Sequence, residues 1–187
     1  MLKKLLLLSF ALTLYVFAVS CSESKAEASV KKSTPVYNIG AVSQAKDGYV
    51  VDFKFNQNGK ERSFAELTKN KVVFLNFWGT WCGPCRRELP DIIEMNKELS
   101  GKDFIAIGIA LEHDAPAVAL KKVADFGTEK GIEYINFLGN KEIVAAYGGI
   151  PAVPTTYIID KKGKIIEKIV GGRDKATFMT AVSKVLK

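Results

Sequence analysis

Thiol and imidazole groups are scarce in this chain, which has three cysteines and one histidine, His113, in 187 residues. A structural zinc needs four ligands, and a lone histidine with no second cysteine pair argues against such a site. No bound metal is expected. A basic stripe interleaved with aromatics is also missing, although 27 basic against 20 acidic residues leave a net charge of +7. Lysines such as Lys31, Lys69, Lys121, Lys162 and Lys184 are spread along the chain. That is the pattern of a solvated basic surface, compatible with an anionic membrane or an acidic partner, and not of a nucleic-acid binder. No apolar run reaches the roughly 20 residues that span a bilayer, and no internal repeat occurs. What is there, 48% hydrophobic and 25% charged residues, suffices for one domain of ordinary size with a short appendage.

The appendage is N-terminal. Lys3 and Lys4 precede an apolar run from Leu5 to Val19, which at about fifteen residues fits a signal peptide over residues 1–20. The run ends in Ala18-Val19-Ser20-Cys21, which resembles the bacterial lipoprotein signal, where the cysteine is diacylated and becomes the new N-terminus. Ala18 stands where such signals usually carry leucine. An uncleaved anchor and an ordinary signal peptide are the other readings, and all three carry the domain out of the cytoplasm. Ser22 to Pro35 is polar and almost free of large apolar residues, so residues 21–35 read as a lipidated cysteine and flexible tether. The folded domain is expected over residues 36–187. With Cys21 lipidated, Cys82 and Cys85 remain, and a lone pair in an oxidising compartment is better read as redox-active than as scaffolding.

Within the domain, Tyr49 to Phe55 alternates as a half-buried strand, and Asn56 to Lys60 reads as a turn. Ser63 with Glu66 forms a capping box for a short helix. Val72–Trp78 and Phe104–Leu111 are continuous apolar runs suited to strands buried on both faces. Ala115–Lys130, with Val118, Val123 and Phe126, is helical in pattern. A strand at Tyr134–Leu138 and a helix over Lys141–Tyr147 follow. Two strands, Thr155–Ile159 and Lys164–Val170, meet at the turn Asp160–Gly163, and Asp174 caps a last helix carrying Phe178 and Val182. The order predicts an α/β fold: a mixed sheet with helices on both faces, an N-terminal β-hairpin and a central α/β insertion.

The chemistry lies in Phe77-Trp78-Gly79-Thr80-Trp81-Cys82-Gly83-Pro84-Cys85. A buried strand ends at Trp78 and a helical pattern starts at Cys82, so Cys82 sits where unpaired N–H groups and the helix dipole favour a thiolate. In such settings the first thiol falls to a pKa of roughly 3.5–7.5. Two intervening residues put Cys85 within disulfide reach on the first turn, and Pro84 suits a turn that needs no N–H there. Cys82 would attack a substrate disulfide and Cys85 would resolve the mixed disulfide. Trp78 and Trp81 would supply an apolar platform beside the sulfurs.

This segment resembles the thioredoxin active site, and the longer run from Leu75 to Pro90 resembles the TlpA/ResA-like branch of bacterial membrane-tethered thiol–disulfide oxidoreductases. Gly149 to Asp160 is similar to that family's cis-proline loop, and Pro90 falls where the fold kinks its active-site helix. The resemblance implies a thioredoxin-like fold over about 140 residues, including the insertion around Ala115–Leu138. It implies a cis Pro154 facing Cys82, with Val153 offering backbone hydrogen bonds to substrate and Trp81, Gly83 and Pro84 contacting it; Pro151 is the competing proline. Thioredoxin carries a buried aspartate where this chain has Asn76. The resembled branch instead uses a glutamate three residues after the second cysteine, which is Glu88, on the same helix face as Cys85. Glu88 is expected to tune the thiols and relay protons; a surface glutamate beside Arg86 and Arg87 is the plain alternative.

Two rival functions fit less well. A copper chaperone of this fold would show three residues between the cysteines and a distal histidine. A peroxiredoxin-like peroxidase would carry threonine or serine at Gly79 and proline at Leu75. His113 is left outside the catalytic set as a loop histidine. The expectation is a monomeric oxidoreductase with no cofactor beyond the Cys82–Cys85 pair, acting on protein thiols and disulfides. The resemblance adds electrons from a membrane thiol donor, a reductase direction and a place in cytochrome c maturation.

Overall fold

In a computed structural model of the chain, residues 32–186 are described; the expected signal peptide and Cys21, and most of the tether, lie outside them. Among the described residues six strands form one sheet in the order β1-β6-β5-β4-β7-β8. These are β1 Val36–Asn38, β4 Val72–Trp78, β5 Phe104–Ala110, β6 Ile135–Leu138, β7 Thr155–Ile159 and β8 Ile165–Val170. The first four pair parallel and β7 and β8 join antiparallel. The helices are α1 Phe64–Thr68, α2 Gly83–Glu98, α3 Pro116–Lys130, α4 Lys141–Ala146 and α5 Lys175–Ser183. Strands β2 Lys54–Gln57 and β3 Lys60–Ser63 make a separate hairpin. This is the thioredoxin-like mixed sheet expected.

β4 organises the molecule. It is buried throughout, and successive side chains serve opposite faces. Val72, Phe74 and Trp78 pack with Leu89, Ile92 and Met95 of α2 and Phe178 and Val182 of α5. Val73, Leu75 and Phe77 pack with Phe53, Phe55, Phe64 and Ile143 on the other side. There Phe137 receives Phe53 and Phe55 edge-on, both at 4.9 Å between centroids. The expected capping box is present: Ser63 Oγ accepts from Glu66 N–H, and the Glu66 carboxylate accepts from Ser63 N–H.

Three expectations are corrected. Tyr49–Phe55 is not one strand of the hairpin. Tyr49 and Val50 pair with the turn at Gly163–Lys164, and Phe53 bridges to Val42, so the hairpin begins only at Lys54. Val118 is 58% exposed, because α3 turns Ala119, Val123 and Gly127 inward. A small-residue stripe lets α3 come close: a Cβ on Gly127 would lie 2.6 Å from Thr34 Oγ1. Val36–Asn38, unrecognised as a strand, forms the sheet edge beside β6.

Candidate active site

The site stands where β4 runs out and α2 begins. A buried parallel strand aims the chain at the end of the sheet. There the turn Gly79–Cys82, closed by Cys82 N–H to Gly79 O at 3.1 Å, reverses it into α2. Cys82 is the N-cap of α2, and Cys85 N–H donates to its Sγ at 3.2 Å. A thiolate at this position gains an N–H donor and the positive end of a sixteen-residue helix. The two sulfurs are bonded, with Cα atoms 5.3 Å apart. Cys82 is 3% exposed and Cys85 is fully buried. Gly83 and Pro84 lie exposed on the first turn, and Pro90 lies within the helix.

The peptide bond between Val153 and Pro154 is cis, and Pro151 plays no such part. Val153 O lies 3.5 Å from Cys82 Sγ. The loop is held from below by Thr155 Oγ donating to Ala152 O and by Gly171 N–H donating to Pro154 O. Of the two tryptophans, Trp81 is half-exposed, donates its indole N–H to Leu111 O at 2.8 Å, and lies against the His113 ring at 4.9 Å. Trp78 is no platform. It is buried under α2, its N–H donating to Asn136 Oδ1 at 3.0 Å, in space left by the missing side chain of Gly108.

Glu88 is not a surface residue, being 3% exposed. Its Oε1 accepts from Asn76 Nδ2 at 3.0 Å and its Oε2 from Arg173 N–H at 3.3 Å. Asn76 also donates to Thr156 Oγ at 3.0 Å, while its Oδ1 has no hydrogen-bond partner. Burial pushes the Glu88 carboxyl up to about 7, outweighing the donors from Arg173 and Asn76 and the charge of Arg173. The group therefore changes charge at neutral pH, one helical turn from Cys85. A cleft of about 320 Å³ between Pro84, Arg87 and Asp91 on one side and Gly172–Asp174 on the other opens beside it.

Sequence reading missed several of these neighbours. Arg173 is 85 positions from Glu88, and no local pattern announces it. Thr156 could have been suspected, since β7 was expected beside the proline loop. The carboxylate of Glu112 accepts from Thr80 N–H at 2.7 Å and Thr80 O–H at 2.9 Å, inside the turn before Cys82. No cluster of three or more metal-ligating side chains occurs among the described residues. None of their helices is long and apolar enough to cross a membrane.

Residues 42–185 match the Redoxin family. The chain is 35% identical over 128 residues to the thiol-disulfide oxidoreductase ResA of Bacillus thuringiensis (strain Al Hakam), covering 68% of this chain and 70% of that protein. Among solved structures, a thiol:disulfide interchange protein of the thioredoxin family from Chlorobium tepidum TLS is similar, with a TM-score of 0.65 and 31% identity. The match covers 78% of this chain and all of that one. The pneumococcal exposed lipoprotein thioredoxin from Streptococcus pneumoniae strain TIGR4 is similar with a TM-score of 0.56 and 25% identity, over 71% of this chain and 98% of that one.

Proposed function

The chain belongs to the Redoxin family as a ResA-like thiol–disulfide oxidoreductase, and from that premise we propose that Cys82 and Cys85 carry the exchange and that Glu88 manages its proton. The Cys82 thiolate attacks one sulfur of a protein disulfide, forming a mixed disulfide and releasing the first substrate thiolate. Cys85 gives its proton to the Glu88 carboxylate and attacks Cys82 Sγ. The second substrate thiolate leaves, and the Cys82–Cys85 bond closes. Two electrons have passed to the substrate, and a dithiol donor, thiol protein by class, returns them by the same steps reversed. The proposed reaction needs no cofactor beyond the sulfur pair.

The observation that carries this reading is Cys82 as helix N-cap, receiving Cys85 N–H at 3.2 Å. The carboxyl titrating at about 7 behind the pair supports the proton role. Val153, beside Cys82, is offered as the backbone that pairs with an extended substrate, with Trp81, Gly83, Pro84 and Pro154 framing the contact. We extend the reading to an extracytoplasmic protein anchored through lipid on Cys21, with residues 21–35 as tether and residues 36–187 as the working domain. A lipoprotein among the structural neighbours supports this. The reductase direction, a membrane thiol donor and a monomeric state belong to the same proposal, and an apocytochrome disulfide awaiting haem is the substrate we would try first.

The test is reduction of insulin disulfides by the full chain with dithiothreitol as donor. The wild-type protein should accelerate reduction, and Cys82→Ser should abolish the acceleration. A Cys82→Ser protein as active as wild type would remove the assignment.

A further inference from the structure

Reduction of the pair removes the covalent bond that ties Cys82 to the helix. The place of the free thiolate must then come from the turn that precedes it. That turn has one residue, Thr80, whose backbone N–H and side-chain O–H both point at the same carboxylate, Glu112, at 2.7 and 2.9 Å. Glu112 sits just past β5, with its side chain fully buried, and its charge is met by Lys122 Nζ from α3 at 3.0 Å. Lys122 is itself shared with Asp114 at 2.8 Å. Two further bonds join the same segments: Leu111 N–H to Trp78 O at 2.7 Å and the Trp81 indole N–H to Leu111 O at 2.8 Å. The packing is close enough that a Cβ on Gly79 would lie 2.6 Å from Trp81 Nε1 and 3.1 Å from Leu111 O.

A buried carboxylate is a costly way to hold a turn that backbone hydrogen bonds alone could close. Its two uncharged donors are both on Thr80, two residues before the nucleophile, and its third donor and counter-charge, Lys122, comes from the helix of the central insertion. We infer that Glu112 is a positioning residue for the exchange reaction, latching the turn at Thr80 so that reduced Cys82 stays on the N-terminus of α2. This rests on the reading of Cys82 as the attacking thiol. Because the disulfide holds Cys82 in the oxidised form, the latch acts chiefly on the reduced one. Weakening it should raise the apparent pKa of the reduced Cys82 thiol. It should also destabilise the reduced state relative to the oxidised state, lowering the reduction potential.

Thr80→Val removes the hydroxyl at nearly constant shape and charge, so it isolates position from electrostatics; Thr80→Ser retains the donor. The readouts are the pH profile of Cys82 alkylation and the equilibrium of the full chain with glutathione. Thr80→Val should lower the acid dissociation constant of Cys82, read from the alkylation profile, by about fivefold, the size expected when a helix-capping contact is lost. It should shift the glutathione equilibrium toward the disulfide by a similar factor, or about 20 mV. Thr80→Ser should recover most of both. Glu112→Gln, which leaves one acceptor oxygen for the two Thr80 donors and removes the charge that Lys122 meets, should shrink the additional effect of Thr80→Val in the double variant.

A latch that only supports the fold would lower the melting temperature of both redox states together and leave these two readouts where they were. A folded Thr80→Val protein with wild-type alkylation and glutathione profiles would therefore overturn the inference. If the wild-type thiol is itself ordinary and the pair does not cycle, the failure lies with the reading of Cys82 instead.

Discussion

Replacing Glu88 by glutamine keeps the shape of the side chain and removes its titration. In the oxidised fold the carboxyl holds its proton to about 7, against 4.5 when exposed to water. At roughly 1.36 kcal/mol per pH unit, that gap corresponds to about 3 kcal/mol. The sign follows from which state binds the proton. Below 4.5 both folded and unfolded chains are protonated at this site. Between 4.5 and about 7 the folded chain keeps a proton that the unfolded chain has lost, so stability declines as pH rises and levels off above the folded value.

Urea unfolding of the oxidised full chain at pH 4, 5.5 and 8, at constant detergent, should show this loss in the wild type. The difference from Glu88→Gln isolates the one group. The variant should lack a decline of about 3 kcal/mol and be the more stable protein at pH 8. The amide can keep its oxygen on Asn76 Nδ2, and the bond it gives up is the longer one from Arg173 N–H, which an amide nitrogen cannot accept. In exchange assays, wild-type resolution by Cys85 should slow below about pH 7 as Glu88 becomes protonated. The variant should be slower at pH 8, by roughly ten- to a hundredfold, and lack that inflection. Parallel stability curves, together with an unchanged inflection, would refute the assignment of the titration to Glu88.

Cys85→Ala should trap substrates as mixed disulfides at Cys82, visible as reductant-sensitive bands on non-reducing gels; no adducts in that background would count against Cys82 as the attacking sulfur. Gly108→Ala places a Cβ 2.0 Å from Asn136 Oδ1 and 2.7 Å from Trp78 Nε1. It should destabilise the fold by about 1–3 kcal/mol through overpacking, measured by thermal or urea unfolding. In a bacterial host fed a labelled fatty acid, the wild-type protein should carry the label and Cys21→Ser should lose it, with insulin reduction by the solubilised variant intact. A wild-type protein without label that still enters the detergent phase would argue for an uncleaved apolar anchor.

Local chemistry was legible from residues alone. The spacing of Cys82 and Cys85 on one turn, the capping box at Ser63–Glu66 and the cap at Asp174 each depend on residues within four positions. Backbone geometry links such neighbours whatever the rest of the chain does. β4 was equally legible, because a strand covered on both faces must be apolar throughout, and Val72–Trp78 is so except at Asn76. That exception was readable as a departure from thioredoxin, and its meaning was not: Asn76 serves Glu88, on another element.

Tertiary packing decided the rest. Whether Glu88 was a surface charge or a buried acid depended on Arg173, 85 positions away, and on α5 closing over the segment. The burial of Trp78 depended on Gly108 and Asn136 in two neighbouring strands, and the exposure of Val118 on which stripe of α3 met Thr34. The partnership of Thr80 with Glu112 spans 32 positions. Desolvation and long-range hydrogen bonding depend on where distant segments come to lie, so the charge state of an acid such as Glu88 is a property of the folded assembly. The bonded pair Cys82–Cys85 could be recognised from sequence because its geometry is set within one helical turn.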